Sequence, residues 1–340
     1  MPANKSIPGA AILGCAGTSL STWEREFFSR TNPLGFILFA RNVDNPHQVR
    51  QLTADLRACV GRPDAPVLID QEGGRVQRLR PPHWRTAPPG RVFADLAASD
   101  EGRAAELLRL NFRLIGRELA QLGIDVDCAP VLDVPVPGAH DVIGDRAYGE
   151  APGKIAVLGR AVCDGLLDEG VLPVIKHIPG HGRALVDSHL SLPVVETSLH
   201  DLERSDFAPF RALADQPWAM TAHVVYRAID DRAPATLSAK VIGEIIRGTI
   251  GFEGVLVSDD LSMKALGGSF EERTMSALDA GCDLVLHCNG EQAEMEAIAS
   301  VLPPMAEVSR ERVALAARRK RKAPDFDIAA AQEAIGAIAS

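Results

Sequence analysis

The sequence predicts an α/β protein, and within that class a single-domain (β/α)8 TIM-like barrel spanning residues 1–340. Three observations predict it. Eight short runs rich in Val, Ile and Leu recur along the chain, without the strict alternation of a strand that faces water on one side. Longer stretches of helical period separate them. No Pro/Ser-rich linker cuts the chain in two. A doubly wound open sheet made of the same strand–helix units is the alternative architecture.

In chain order the strand runs are Ala10–Gly14, Gly35–Phe39, Pro66–Asp70, Ile124–Pro130, Leu172–His177, Trp218–His223, Gly254–Asp259 and Cys282–Cys288. The helices between them include Asn45–Cys59, Glu101–Leu122, Lys154–Gly170, Leu199–Ala214 and Ser238–Gly248. Arg80–Gly90, with its two Pro-Pro pairs, and Pro135–Gly149 read as long βα loops. Past the eighth run, Glu291–Leu302 and Glu307–Lys320 are expected as closing helices and Asp325–Ser340 as an Ala-rich terminal helix, so residues 291–340 complete the domain. The basic run Arg318–Lys322 is expected to cap a helix C-terminus, where cations are favourable.

Composition narrows the function classes. With 46% apolar and 24% charged residues the chain is an ordinary globular one, far from the disordered class. Its 340 residues are enough to bury a core without a disulfide or metal. A net charge of −9 argues against an extended phosphate-binding face, so nucleic acid is not an expected partner. No stretch offers the ~18 consecutive apolar residues of a membrane span. Lys5 and the broken run Ile7–Leu13, interrupted by Pro8 and Gly9, make a poor secretory leader. The six cysteines form no CxxC pair, and five lie in apolar runs, as buried free thiols do. A reduced, cytoplasmic protein without membrane attachment is the expectation.

The ends of the runs carry the chemistry. Run three ends in Asp70, run four carries Asp127, and run five ends in Lys176 and His177. Run six ends in His223, run seven in Asp259 and Asp260, and run eight carries His287. Ionisable groups at the tips of apolar strands are costly to bury unless paired or functional. In a (β/α)8 barrel these tips converge on one mouth, where such enzymes place their active sites. Three loops extend the pattern: Gln71-Glu72-Gly73-Gly74-Arg75 through Arg78, Val142 through Arg146, and Lys176 through Gly182 followed by Asp187-Ser188-His189. Gly180 and Gly182 permit a hinge in the last of them.

These segments, GFILFARN, LIDQEGGRVQRL, VIGDRAYG, KHIPGHG, DSH and GFEGVLVSDDLSM, occur in the order found in the β-N-acetylglucosaminidase branch of glycoside hydrolase family 3, which the chain resembles from about residue 35 to 266. The resemblance implies a TIM-like barrel and a retaining exo-β-N-acetylglucosaminidase. It implies Asp259 as nucleophile, an Asp187–His189 dyad with His189 as general acid/base, and sugar contacts from Asp70, Arg78, Arg146, Lys176 and His177. It also implies a carbohydrate substrate, of which GlcNAc-1,6-anhydro-muropeptides in peptidoglycan recycling are the fitting case for a chain without an export signal. No cofactor and no metal are implied, and a monomer or weak dimer is expected. Gln71 stands where many relatives have His, and Ile178 replaces the more usual Phe.

The residue types suit that chemistry. Retaining hydrolysis needs an anionic nucleophile beneath C1 and a proton donor beside the leaving oxygen. An imidazole donates and accepts near neutral pH without strong tuning, and Asp187 can orient its ring. Arg78 and Arg146 supply forked donors, and Asp70 accepts from sugar hydroxyls. Strand periodicity turns Asp260 away from the mouth, as an N-cap for a helix over Leu261–Leu266. His223 and His287 are expected as hydrogen-bonded wall residues, and His181 as a loop-structural one.

Three rivals stand beside this reading. His177, His181 and His189 allow a metal-dependent TIM-barrel hydrolase, but Pro179 and Gly180 keep His177 and His181 off one helix face. Substrate-assisted hexosaminidase chemistry wants an Asp-Glu pair, where this chain has Asp-Asp. A sugar-binding barrel without activity is disfavoured because both proposed catalytic residues are present.

Overall fold

A computed structural model describes residues 7–188 and 190–339. Eight strands, β1 (Gly9–Gly14), β2 (Pro33–Leu38), β3 (Val67–Ile69), β4 (Val126–Asp127), β5 (Leu172–Ile178), β6 (Trp218–Thr221), β7 (Val255–Asp260) and β8 (Leu284–His287), close into a barrel. Each pairs in parallel with its neighbours in sequence, and β8 closes on β1 through Ala11–Val285, Ile12–Leu286 and Leu13–His287. All eight expected runs are barrel strands, and the open sheet is ruled out by that closure.

The apolar runs fail to alternate because both faces of each strand are buried. Ile12, Ile37, Leu68, Val126, Val174, Met220, Val257 and Leu286 fill the barrel interior. Leu13, Phe36, Ile69, Ile175, Ala219, Leu256 and Val285 face outward and pack under the helical layer. Near-continuous Val/Ile/Leu runs are what such double burial demands.

The helices are α1 (Thr22–Thr31), α2 (Pro46–Cys59), α3 (Gly90–Ala97), α4 (Glu101–Gln121), α5 (Pro152–Asp168), α6 (Leu199–Arg204), α7 (Ala208–Ala212), α8 (Phe270–Ala280), α9 (Gln292–Val301), α10 (Glu307–Ala317) and α11 (Ile328–Ala339). Three depart from the expected segments. The single helix expected over Leu199–Ala214 breaks into α6 and α7, since Pro209 has no N–H to offer the Ser205 carbonyl. The one expected over Ser238–Gly248 is a π-helix, Val241–Thr249. Glu307–Lys320 ends as a helix at Ala317 with Arg318 as its C-cap, so the basic run follows a helix C-terminus as expected. It crosses the barrel's lower end, pairing Lys320 with Asp125 at 2.8 Å and Arg321 with Asp164 at 2.8 Å. Among the described residues no helix is long and apolar enough to cross a membrane.

Candidate active site

The C-terminal ends of the strands open into a cleft of about 610 Å³. Asp70, Arg78, Arg146, Lys176, His177, Asp187 and Asp259 all line it. These residues come from loops after β3, β4 and β5 and from β5 and β7 themselves, and strand convergence brings them together. His189 lies outside the described residues.

One wall is a network of fixed charges. Lys176 Nζ, almost fully buried, lies 2.8 Å from Asp70 Oδ1 and 2.6 Å from Glu72 Oε1. Arg146 grips Glu72 with two parallel bonds, Nε to Oε2 and Nη2 to Oε1, each 2.8 Å. Arg78 Nη2 reaches Asp70 Oδ2 at 3.1 Å. Burial acts to raise the pKa of both carboxyls, but the cations outweigh it. Lys176 and Arg78 hold Asp70 below the usual carboxylate range, and Arg146 and Lys176 hold Glu72 at about 2. Burial likewise opposes the charge on Lys176, and Asp70 and Glu72 reverse that and push its pKa up. Asp70, Glu72, Lys176 and Arg146 thus stay ionised in the cleft wall, with Arg78 paired to Asp70 beside them.

Glu72 was not among the sequence candidates, although it stands in the Gln71–Gly74 turn that follows Asp70. Its signal was position: the residue after next from a strand-tip carboxylate, beside a glycine with φ near 96° that only a left-handed backbone provides. Gln71 turns out to brace this turn from beneath. Its Oε1 accepts from the N–H groups of Arg78 and Leu79 at 2.8 and 3.0 Å. Asp127 Oδ1 accepts the Gln71 N–H at 2.9 Å, and burial pushes the Asp127 pKa up.

Asp133, also missed, organises the second wall. Fully buried in the apolar Val131–Val134 stretch after β4, it accepts from the His177 and His181 backbone N–H groups and lies 2.7 Å from His177 Nδ1. Burial would raise its pKa, but His177 and His181 hold it at about 2. The His177 ring is thereby fixed with Nε2 available to the cleft side. His181 Nε2 lies 3.0 Å from Ser188 Oγ, and the Ser188 carbonyl accepts from Ala265 N–H at 3.2 Å. Burial holds His181 down at about 4, so it is a neutral latch on the Asp187-Ser188 segment, in keeping with its expected loop role.

Opposite the charged wall, Asp259 sits at the end of β7. Its N–H lies 3.3 Å from Thr221 Oγ1, and its Oδ1 accepts the Asp260 N–H at 2.8 Å. Asp260 borders the cleft as well, contrary to the expectation that it turns away. Its carboxylate is occupied: Oδ1 accepts from Ser262 and Cys288 N–H groups, both at 3.1 Å, and Oδ2 from Ser262 Oγ at 2.5 Å. The helix expected over Leu261–Leu266 is a series of turns, which this Asp-Ser contact initiates. His223 bonds Thr236 Oγ1 and the Asp260 carbonyl, and His287 bonds Glu294 Oε2 at 2.7 Å; both are wall residues. His177 and His181 have the partners just described, and among the described residues no group of three His, Cys, Asp or Glu is placed to hold a metal ion.

Comparison with known proteins places this geometry. Residues 15–321 match the N-terminal domain of glycosyl hydrolase family 3. The chain is 43% identical over 289 residues to a β-hexosaminidase of Alkalilimnicola ehrlichii, covering 84% of this chain and 82% of that one. It is 40% identical over 298 residues to a β-hexosaminidase of Pseudomonas aeruginosa, covering 87% of each. Among solved structures it is similar to NagZ from Neisseria gonorrhoeae in complex with N-trifluoroacetyl-D-glucosamine, with a TM-score of 0.88 at 32% identity over 98% of this chain and 99% of that one. A family 3 β-N-acetylglucosaminidase from Paenibacillus sp. superposes with a TM-score of 0.85 at 31% identity, over 99% of this chain and 68% of its own. With a closed barrel, a charged cleft at its C-terminal mouth and relatives matched nearly end to end, the chain belongs to glycosyl hydrolase family 3, among its β-hexosaminidases, and is a glycoside hydrolase.

Proposed function

We propose that this glycoside hydrolase removes a terminal non-reducing β-linked N-acetylglucosamine with retention, through a covalent intermediate on Asp259. The observation that carries the reading is the pairing of one carboxylate at the tip of β7 with a wall of Asp70, Glu72, Arg146 and Lys176 across the same cleft. Such a wall binds an uncharged polyol by many fixed donors and acceptors. The N-acetylglucosamine derivative in the Neisseria relative supports the sugar's identity.

In the proposed reaction, the Asp259 carboxylate attacks C1 as the bond to the leaving oxygen breaks and that oxygen takes a proton from His189. The product is a glycosyl ester on Asp259. His189, now neutral, takes a proton from water, which attacks C1 from the face the leaving group vacated and releases Asp259 as carboxylate. Asp187 orients the imidazole and stabilises its charged form. The roles of Asp187 and His189 rest on the DSH motif, with Asp187 placed on the cleft. The physiological substrate fitting this reading is a GlcNAc-1,6-anhydro-muropeptide, trimmed in the cytoplasm during peptidoglycan recycling.

Hydrolysis of an aryl β-N-acetylglucosaminide beside the matching β-glucoside, with EDTA present, tests the reading. Release from the first alone, abolished by Asp259→Ala, is the expected result. His189→Ala should slow poor leaving groups far more than activated aryl ones, and equal losses on both would remove His189 as the proton donor. Release from neither sugar would overturn the assignment.

A further inference from the structure

The loop after β6 touches both halves of the proposed machinery. Where it leaves the strand, Thr221 Oγ1 accepts the Asp259 N–H at 3.3 Å, and His223 Nε2 lies 3.0 Å from the Asp260 carbonyl oxygen. Three residues after His223 stands Tyr226, fully buried. Its phenol O–H donates to the Gly180 carbonyl, which takes no other hydrogen bond among the described residues. The backbone around Tyr226 holds the far end of the same segment. Val225–Tyr226 pairs in parallel with Val194–Val195, with Val225 N–H donating to Pro193 O at 3.0 Å and Arg227 N–H to Val195 O at 3.1 Å. One residue is thus the clasp for both ends of the stretch from Gly180 to Val195.

That stretch brings Asp187 to the cleft. Its middle is lightly packed, with Leu185 and Leu190 66% and 67% exposed. Inside it, His181 bonds Ser188, and Ala184 O accepts from His140 N–H at 2.8 Å. A segment with so little buried apolar surface takes its course from the points where its ends are fixed. Gly180 stands two residues past β5, so a shift there moves everything that follows. A buried carbonyl stripped of its donor must find another or move. Burial pushes the Tyr226 pKa well above that of a free phenol, so the hydroxyl stays a donor. The ring itself meets Phe207 edge to face, centroids 6.4 Å apart, so phenylalanine can fill the same space without supplying the donor.

We propose that Tyr226 is a positioning residue for proton transfer: through Gly180 and Val195 it sets where the Asp187 segment stands relative to Asp259. The inference rests on the proposed reaction, in which this segment supplies the proton to the leaving oxygen.

The test measures kcat/KM for phenyl β-N-acetylglucosaminide, a poor leaving group, and for its activated dinitrophenyl counterpart, in wild type, Tyr226→Phe and His189→Ala. The ratio of the two within one protein cancels any general loss of folded enzyme. Tyr226→Phe should lower kcat/KM for the phenyl substrate about tenfold, the scale on which a displaced general acid loses its effect. The dinitrophenyl substrate should stay within about twofold of wild type, because its departure needs little protonation. A merely structural role would lower both alike. Equal losses on both substrates, or no loss on either, overturn the inference and leave the proposed activity standing. If His189→Ala shows no such split, or the wild type cleaves neither substrate, the proposed reaction is wrong and the inference falls with it.

Discussion

At the scale of single residues, the site depends on which ionisable groups are charged in the dry interior. His181 and His223 are buried and both are shifted down, His181 to about 4. Because the unfolded chain takes up these protons first, the stability that His181 contributes is complete above about pH 6.5 and is lost as pH falls toward 4, and His223 acts in the same direction. Glu118 works the other way. Burial raises it to about 7, so its contribution is present below about pH 4.5 and lost as pH rises through 7. Glu72 and Asp133, both at about 2, add a stage lost only as pH falls from about 4.5 toward 2. Thermal unfolding followed from pH 7 to pH 4.5 should therefore respond oppositely to two variants: His181→Gln should flatten the profile and Glu118→Gln should steepen its acid fall. Parallel profiles for all three proteins would show that these groups do not titrate as their surroundings dictate. Sequence reasoning reached most of the cleft lining because charge at the tip of an apolar run stands out. It missed Glu72 and Asp133 because a carboxylate that serves other site residues, two positions past a tip or inside a hydrophobic stretch, carries no such mark.

At the scale of elements, the strands were legible and the helices less so, for a physical reason. A strand buried on both faces must be continuously apolar, while a helix covering the barrel needs only one apolar stripe and takes its start from local capping. Helices α1 and α8, absent from the segments singled out in the sequence, each begin with a capping box, Ser21 with Glu24 and Ser269 with Glu272. That Ser-x-x-Glu spacing was present to be read. The break between α6 and α7 serves the site: Asp206, in the gap, accepts from Arg183 Nε at 2.7 Å and so anchors the start of the segment leading to Asp187. The same segment is pressed against β4's following loop at Gly182, where a Cβ would lie 2.0 Å from Val134 O and 2.3 Å from Val134 C. Backbone cannot yield as a flexible side chain does, so Gly182→Ala should displace the segment and cut turnover at least tenfold. Tm should move far less than turnover, because the barrel strands are untouched. A fully active Gly182→Ala enzyme would mean that the position of this segment does not matter to the reaction.

At the scale of the molecule, the two ends of the barrel divide the labour between chemistry and cohesion. The lower end is tied by ion pairs that reach across the sequence. Asp283, almost fully buried just before β8, accepts from Arg247 Nη2 and Arg312 Nη1 at 2.9 Å each and from Ser309 Oγ at 2.6 Å, which fastens α10 to the barrel. Removing one member of such a buried cluster strands the others, at a cost of about 3–5 kcal/mol. Asp283→Ala should lower Tm by several degrees and leave KM for an aryl N-acetylglucosaminide within twofold of wild type. A changed KM with an unchanged Tm would contradict this division. The central claim, that Asp259 forms a covalent bond to the sugar, is tested most directly by mass spectrometry. The enzyme would be treated with a fluorinated N-acetylglucosaminyl donor whose glycosyl-enzyme is slow to hydrolyse, then digested and its peptides mapped. The account predicts one added glycosyl mass, on Asp259, absent from Asp259→Ala. Turnover of the donor with no adduct, or an adduct on Asp260, would contradict it.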